Sequence, residues 1–222
     1  MKIIDLGLIS FKDALAVQER RVREVAEGAE NTLYLLEHTP VVTLGRHGGL
    51  ESLKVSPEYL ASQGIDLVET RRGGKITCHY PGQLVAYPVF RLERRIGGVR
   101  GFFWAMEEVA IRMLSGLGIS GERREGHAGV WVGAKKIAST GIAVRRWVTY
   151  HGLSLNVSPD LSLFSLMNPC GMDVLPTSVH QELGANGPNG LDPPDMAEMK
   201  HACAEKFGQV FAHPQVAARK AS

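Results

Sequence analysis

Residues 129–157 contain three strand-like runs, GVWVG, KKIASTGIAV and WVTYHGLSLNV, separated by joints of only a few residues. Joints this short can only return the chain antiparallel to itself, because parallel neighbours need a crossover of a dozen residues or more. That favours a mixed sheet over a doubly wound parallel one. Helical periodicity lies on both sides of this block. Residues 11–27 place Phe11, Ala14, Leu15, Val22 and Val25 on one face, and residues 100–117 repeat Phe102, Phe103, Met106, Val109, Ala110, Met113, Leu114 and Leu117, with Gly118 as the stop. NTLYLLEH and PVVTLGR read as short strands parted at Pro40, followed by a short helix at 57–63 and a strand at IDLVE. KITCHYPGQLVAYPVFRL reads as strand, turn and strand, with Pro81-Gly82 at the bend. A short helix at 161–166 and a terminal one at 196–211 complete the pattern. The expected fold class is α+β, a mixed sheet flanked by helices.

With 222 residues, 44% of them hydrophobic and 22% charged, the chain suits one substantial core. A single domain over 1–222 is expected, with 184–195 an exposed Gly/Pro/Asn-rich loop and 214–222 a flexible tail. No apolar run approaches the roughly 20 residues of a membrane-spanning helix, and the N-terminus lacks a signal-peptide pattern. A cytoplasmic protein is expected, with no membrane association. Three cysteines, Cys78, Cys170 and Cys203, are too few for a disulfide framework, and none has C-x-x-C spacing. The eight histidines form no i, i+4 metal pair, so no metal site is expected. A net charge of +2 gives no reason to expect nucleic acid. Arginines cluster at Arg94, Arg95, Arg100, at Arg123, Arg124 and at Arg145, Arg146.

Three segments carry candidate chemistry. In the run from Arg72, Gly73, Gly74, Lys75, Ile76 and Thr77 to Cys78 and His79, the glycine pair can bring backbone N–H groups close to a ligand, and Thr77, His79 and Gln83 add polar groups. The same glycines also suit a hairpin that binds nothing. In Lys135-Lys136-Ile137-Ala138-Ser139-Thr140-Gly141, strand alternation sends Lys135 and Lys136 to opposite sides, so one can point inward and act as a base; two solvated lysines fit the spacing as well. In Asn168-Pro169-Cys170-Gly171, a cysteine between Pro and Gly sits in a turn, and is either an accessible nucleophile or an inert small hydrophobe. A thiolate, a basic partner and exposed N–H groups together are what thioester transfer requires.

The ordered motifs RGGKITCHYPGQLVAYPV, GVWVGAKKIASTGIAV, HGLSLNV and NPCG resemble the lipoyl(octanoyl) transferase family over nearly the whole chain to about Ser178. The resemblance implies the fold of biotin and lipoate protein ligases. It implies Cys170 as acyl-thioester nucleophile and Lys136 as its partner. The acyl pocket it implies comprises Arg72, Gly73, Gly74, Lys75, Ile76, Thr77, Cys78 and His79, with Ser139, Thr140, Gly141, Gly152, Leu153 and Ser154. Octanoyl would come from acyl carrier protein, an acidic donor docking on the arginine clusters. It would go to lipoyl domains of 2-oxoacid dehydrogenase complexes and the glycine cleavage H protein, with no ATP, metal or other cofactor. The family usually has tyrosine where Cys78 stands and glycine where Tyr80 stands, so Cys78 is expected to put an extra thiol beside the pocket. The chain itself is expected to lie in a tunnel of Leu, Val and Ile side chains. Backbone N–H groups near Gly141 or Leu153 are expected to hold the oxyanion, and His79 and His151 to shape the pocket rather than act as bases. The competing readings are an ATP-dependent lipoate or biotin ligase, and a silent binding protein of the same fold.

Overall fold

The computed structural model describes residues 1–93, 97–168, 175–184 and 193–212. Among the described residues, ten strands form two sheets: β1 (Lys2–Ile9), β2 (Thr32–His38), β3 (Val41–Leu44), β4 (Asp66–Glu69), β5 (Ile76–His79), β6 (Gln83–Val89), β7 (Glu122–Arg124), β8 (His127–Val132), β9 (Lys135–Arg145) and β10 (Val148–Asn156). The large sheet has the order β1-β2-β6-β10-β9-β8-β7, the small one β4-β3-β5. Within the large sheet only β1 and β2 are parallel; in the small one β3 and β4 are parallel and β3 and β5 antiparallel. The mixed α+β architecture is the one expected. The strand–turn–strand reading of KITCHYPGQLVAYPVFRL is correct locally, yet the two strands never pair. β5 joins β3 in the small sheet, whereas β6 lies between β2 and β10 in the large one. The Pro81-Gly82 bend is therefore a hinge between sheets, which is how the two sheets come to enclose a space.

Helix α1 (Phe11–Ala26) begins at Ser10, whose hydroxyl accepts from the Asp13 amide at 3.1 Å and donates to the Asp13 carboxylate at 2.7 Å. Its buried stripe, Phe11, Ala14, Gln18, Val22 and Val25, lies against one face of the large sheet at β6 and β10. On the other face, α3 (Gly98–Gly116) and α5 (Met196–Ala212) cover β6, β8, β9 and β10 and build the main core around Phe102, Met106, Leu114 and Phe207. The short helix α2 (Pro57–Ser62) packs on β4. The segment 161–166 is a 3-10 turn, Ser162–Leu166. Strands β1 and β7 and the five-residue helix α4 (Val179–Leu183) were not anticipated. β1 is an edge strand without clean alternation, and β7 and α4 are too short to carry a period. The expected loop at 184–195 falls mostly, and the tail at 214–222 wholly, outside the described residues.

A proline in a central strand sets the backbone geometry around His151. Pro88 of β6 has no N–H to give, and the β6–β10 ladder runs only as far as Ala86↔Leu153. Opposite it, Gly152 leaves room: a Cβ there would sit 2.2 Å from the Ala86 carbonyl oxygen and 2.7 Å from Pro88 Cδ. His151, next along β10, has a left-handed φ of 58°. Its amide leaves the ladder and donates to Gln18 Oε1 of α1 at 2.7 Å, which satisfies a donor that would be costly to bury unpaired. The turn of backbone at His151 breaks strand alternation, so that its ring stands beside that of Tyr150, 4.7 Å away, on the α1 side of the sheet.

Candidate active site

The two sheets and the start of α1 enclose a cavity of about 270 Å³. Its walls come from segments distant in sequence. The loop leading into β5 contributes Arg72, Gly73, Gly74 and Lys75, and β5 itself Ile76, Thr77 and His79. β9 contributes Lys136, Ser139, Thr140 and Gly141, and β10 contributes His151, Gly152, Leu153, Ser154 and Asn156. Phe11 closes one end, while Gly126, His127, Ala128 and Trp131 lie around Lys136. The loop is tied across the sheet by the Gly73 amide, which donates to the Ile142 carbonyl at 2.9 Å. Every residue expected in the pocket is thus brought to one place, except Cys78. Alternation along β5 turns Cys78 away from the cavity into a separate apolar cluster, fully buried, where desolvation raises its thiol pKa. An extra thiol at the pocket is therefore not what this substitution produces. Tyr80, two residues on, faces the same cluster with its ring edge-on to Phe164 at 6.1 Å.

The expected aliphatic tunnel is also corrected. Among the described residues, Leu153 and Ile76 are the only Leu, Val or Ile side chains in the cavity wall; the remainder is glycine backbone, aromatic ring and polar side chain, with Ala128 and Pro176. A slot of this kind confines a chain by close backbone approach more than by side-chain bulk.

Arg72 is 7% exposed and carries no carboxylate partner among the described residues. It donates from Nη2 to the Thr43 carbonyl (2.6 Å) and Oγ1 (2.8 Å) and from Nη1 to the Gly73 carbonyl (3.1 Å), and burial lowers its pKa to about 10. Its role is to hold the glycine loop against β3. Beside it lie three buried histidines. His38 donates from Nδ1 to the Ile9 carbonyl (3.0 Å) and accepts at Nε2 from the Tyr87 hydroxyl (2.8 Å). His79 donates from Nδ1 to Gln83 Oε1 (2.7 Å). Neither ring nitrogen of His151 has a partner among the described residues. Burial holds all three neutral, and neighbouring positive charge adds to it at His79 and His151. His38 falls to about 4, His151 to about 3, and His79 well below its usual value.

At the other end, Lys135 and Lys136 diverge as expected. Lys135 is exposed and pairs with Glu182 at 3.0 Å, while Lys136 is half-buried and lines the cavity. The Lys136 ammonium lies 5.5 Å from the centroid of Trp131, whose ring also carries the Arg124 guanidinium at 4.6 Å. The lysine stem rests on Gly129, which has φ +117°; a Cβ there would be 2.7 Å from Lys136 Cε and 2.3 Å from the Ala138 carbonyl oxygen. Gly129 is fixed from behind by α3, where Glu107 Oε1 accepts its amide at 2.8 Å. Burial raises the Glu107 pKa, with Gly129, Arg123 and Lys136 opposing. Asn156, Gln83 and His79 form a buried chain: Gln83 Nε2 donates to Asn156 Oδ1 (2.9 Å), and Asn156 Nδ2 to the Thr177 carbonyl (2.9 Å).

Cys170 lies outside the described residues. The chain resumes at Leu175, five positions later, and there meets Lys136 directly: the Lys136 amide donates to the Leu175 carbonyl (2.8 Å), and the Thr177 amide to the Lys136 carbonyl (2.9 Å). Of the arginines expected to meet an acidic partner, Arg94 and Arg95 are outside the described residues, and Arg100, Arg145 and Arg146 are exposed. Arg145 stands nine positions from Lys136 along β9, about 30 Å at strand spacing. Sequence reasoning missed Phe11, Gln18, Trp131, Glu107 and Asn156. Of these only Asn156 left a trace, as a lone amide inside the apolar run of β10.

Residues 10–208 match the lipoyl protein ligase A/B catalytic domain. Octanoyltransferase of Nitratidesulfovibrio vulgaris (strain DSM 19637 / Miyazaki F) is 55% identical over 223 residues, covering all of both chains. The chain belongs to the octanoyltransferase family. A second octanoyltransferase, from Maridesulfovibrio salexigens, is 50% identical across 98% of this chain and the whole of its own. The octanoyltransferase fold extends to a putative lipoate protein ligase from T. acidophilum with bound lipoic acid, at TM-score 0.76 and 18% identity, covering 99% of this chain and 92% of that one. It reaches biotin protein ligase from Aquifex aeolicus at TM-score 0.54 and 11% identity, over 97% of this chain and 70% of that one. As a member of the octanoyltransferase family the chain is an acyltransferase.

Proposed function

We propose that the chain transfers an octanoyl group from acyl carrier protein to a lipoyl-domain lysine through an acyl thioester on Cys170. The observation that carries the reading is the cavity in which Lys136, the glycine loop and the middle of β9 and β10 meet, with Leu175, five residues past Cys170, hydrogen-bonded to Lys136. In the first half-reaction the Lys136 amine takes the Cys170 proton, and the thiolate attacks the carrier thioester. The C–S bond to the carrier breaks, and the carrier thiolate recovers the proton from Lys136. In the second half, the acceptor amine attacks the acyl-enzyme and gives its proton to Lys136. The Cys170 thiolate leaves, so the ion pair is restored and an amide has formed. The N–H groups expected to hold the oxyanion, near Gly141 or Leu153, lie about 13–17 Å from Lys136 along the β9 register, so a carbonyl that reacts beside Lys136 draws its oxyanion donors from elsewhere. Neither ATP nor a metal is required, because the thioester already carries the activation. The proposed acceptors are the lipoyl domains of 2-oxoacid dehydrogenase complexes and the glycine cleavage H protein, and the proposed compartment is the cytoplasm. No helix among the described residues is long and apolar enough to cross a membrane.

Intact-mass measurement after incubation with octanoyl carrier protein tests the intermediate. One octanoyl adduct is expected on wild type and none on Cys170→Ala. An adduct that survives Cys170→Ser and disappears in Cys78→Ser overturns the assignment. Docking is proposed on the exposed arginines. Arg145 and Arg146 are too far from Lys136 to touch the reacting atoms, so they act on encounter. Turnover at subsaturating carrier is then expected to fall as salt shortens the Debye length from about 30 Å at 0.01 M to about 8 Å at 0.15 M, and a flat response removes the docking proposal.

A further inference from the structure

We propose that Phe11 sets the length of acyl chain that the cavity accepts. The inference rests on the reading that the acyl carbonyl reacts beside Lys136, and concerns the other end of the same cavity.

That end is closed by a stack of rings. Phe11, 1% exposed, lies nearly parallel to His79 (centroids 6.1 Å apart, 10°) and to His151 (6.0 Å, 12°), with His38 tilted against it at 5.3 Å. All the supports of this stack are fixed. Phe11 is the first residue of a capped helix, His79 is held by Gln83, and His151 is held by its left-handed backbone and the Gln18 bond. A ring so held does not swing aside for a longer ligand, because close-packed interiors yield little.

The register of the sheet gives the distance. His151 pairs with Ile142, six positions along β9 from Lys136, which is about 20 Å at strand spacing. An extended eight-carbon acyl group spans about 9 Å from carbonyl to methyl. The lysine stem at one end and the ring stack at the other take up part of the remainder. A chain that lengthens from the Lys136 end therefore runs toward the Phe11 ring, which stands across its path. Since Phe11 belongs to α1, chain length is governed from a segment that contributes nothing to the chemistry at Lys136.

The test compares octanoyl and decanoyl carrier thioesters on wild type, Phe11→Leu and Phe11→Ala. Each newly buried methylene is worth about fourfold, so the decanoyl-to-octanoyl ratio of kcat/KM is expected to rise by up to about 15-fold in Phe11→Ala, and by less in Phe11→Leu. The same ratio is read as binding of octanoyl- and decanoyl-pantetheine to Lys136→Ala protein with and without the Phe11 changes. Wild-type ratios in folded Phe11→Leu, by both readouts, overturn the proposal. A shift in binding preference in protein whose wild type performs no carrier transfer supports the cavity limit and sinks the transfer reading instead.

Discussion

Lys136→Ala is expected to lower kcat for octanoyl transfer by about 10²–10⁴, the range for loss of a positioned acid–base group. Lys136→Arg is expected to fall as far, because a guanidinium keeps the charge but cannot give up its proton near neutral pH. The arginine variant separates a base from a mere cation: if it retains a tenth or more of wild-type kcat, Lys136 supplies only charge. Folding should survive both changes. The backbone bonds from Lys136 to Leu175 and Thr177 do not involve the side chain, and its stem lies on the bare face of Gly129 rather than in the core. Cys170→Ala is expected to reduce transfer to background, and Lys136→Ala added to it should cost little more, since groups acting as one unit are not additive. Full additivity in that double variant would mean that the two residues work in separate steps.

Stability is expected to fall steeply between pH 6.5 and 4. His38, His79 and His151 are held neutral in the fold, with His38 lowered to about 4 and His151 to about 3. In the unfolded chain each titrates near 6.5. Above that pH neither state binds the proton and the histidines do not affect stability. Below it the unfolded chain takes up protons that the native state refuses, and each histidine costs about 1.4 kcal/mol per pH unit until its folded pKa is reached. Three together amount to about 4 kcal/mol per unit, against a total of about 5–15 kcal/mol for a typical domain. Urea unfolding at pH 7 and pH 5 should show a loss of about 3–6 kcal/mol, well above the range where carboxylates titrate. His151→Gln should flatten the dependence. An unfolding free energy that is constant from pH 7 to 5 would falsify the neutral histidine cluster.

Much of the site was legible because its elements are local. The glycine pair at 73–74 and the paired lysines ahead of an apolar strand each declare a backbone geometry in a few adjacent residues, while Gly152, Leu153 and Ser154 were named through the family resemblance. The β8–β9–β10 meander was readable for the same reason, since its turns are too short to permit any other pairing. What stayed hidden depends on contacts between distant segments. Phe11 and Gln18 read as two positions on an amphipathic helix, and nothing in α1 reveals that one meets two histidines while the other takes an amide from β10. Cys78 misled because a strand residue adjacent to pocket residues was assigned to the pocket, when alternation places neighbours on opposite faces.

The amino-acid sequence alone determined the fold class and the antiparallel block that carries Lys136, while the resemblance of its motifs named most of the segments that meet around the cavity. Periodicity, turn chemistry and short motifs are properties of neighbouring residues, so they survive without coordinates. Only the tertiary structure decided that β5 and β6 part into different sheets, that Pro88 and Gly152 release His151 from its ladder, and that Phe11 closes the cavity. Those outcomes follow from which surfaces are buried against each other, and burial is a property of the packed molecule that no stretch of chain possesses by itself.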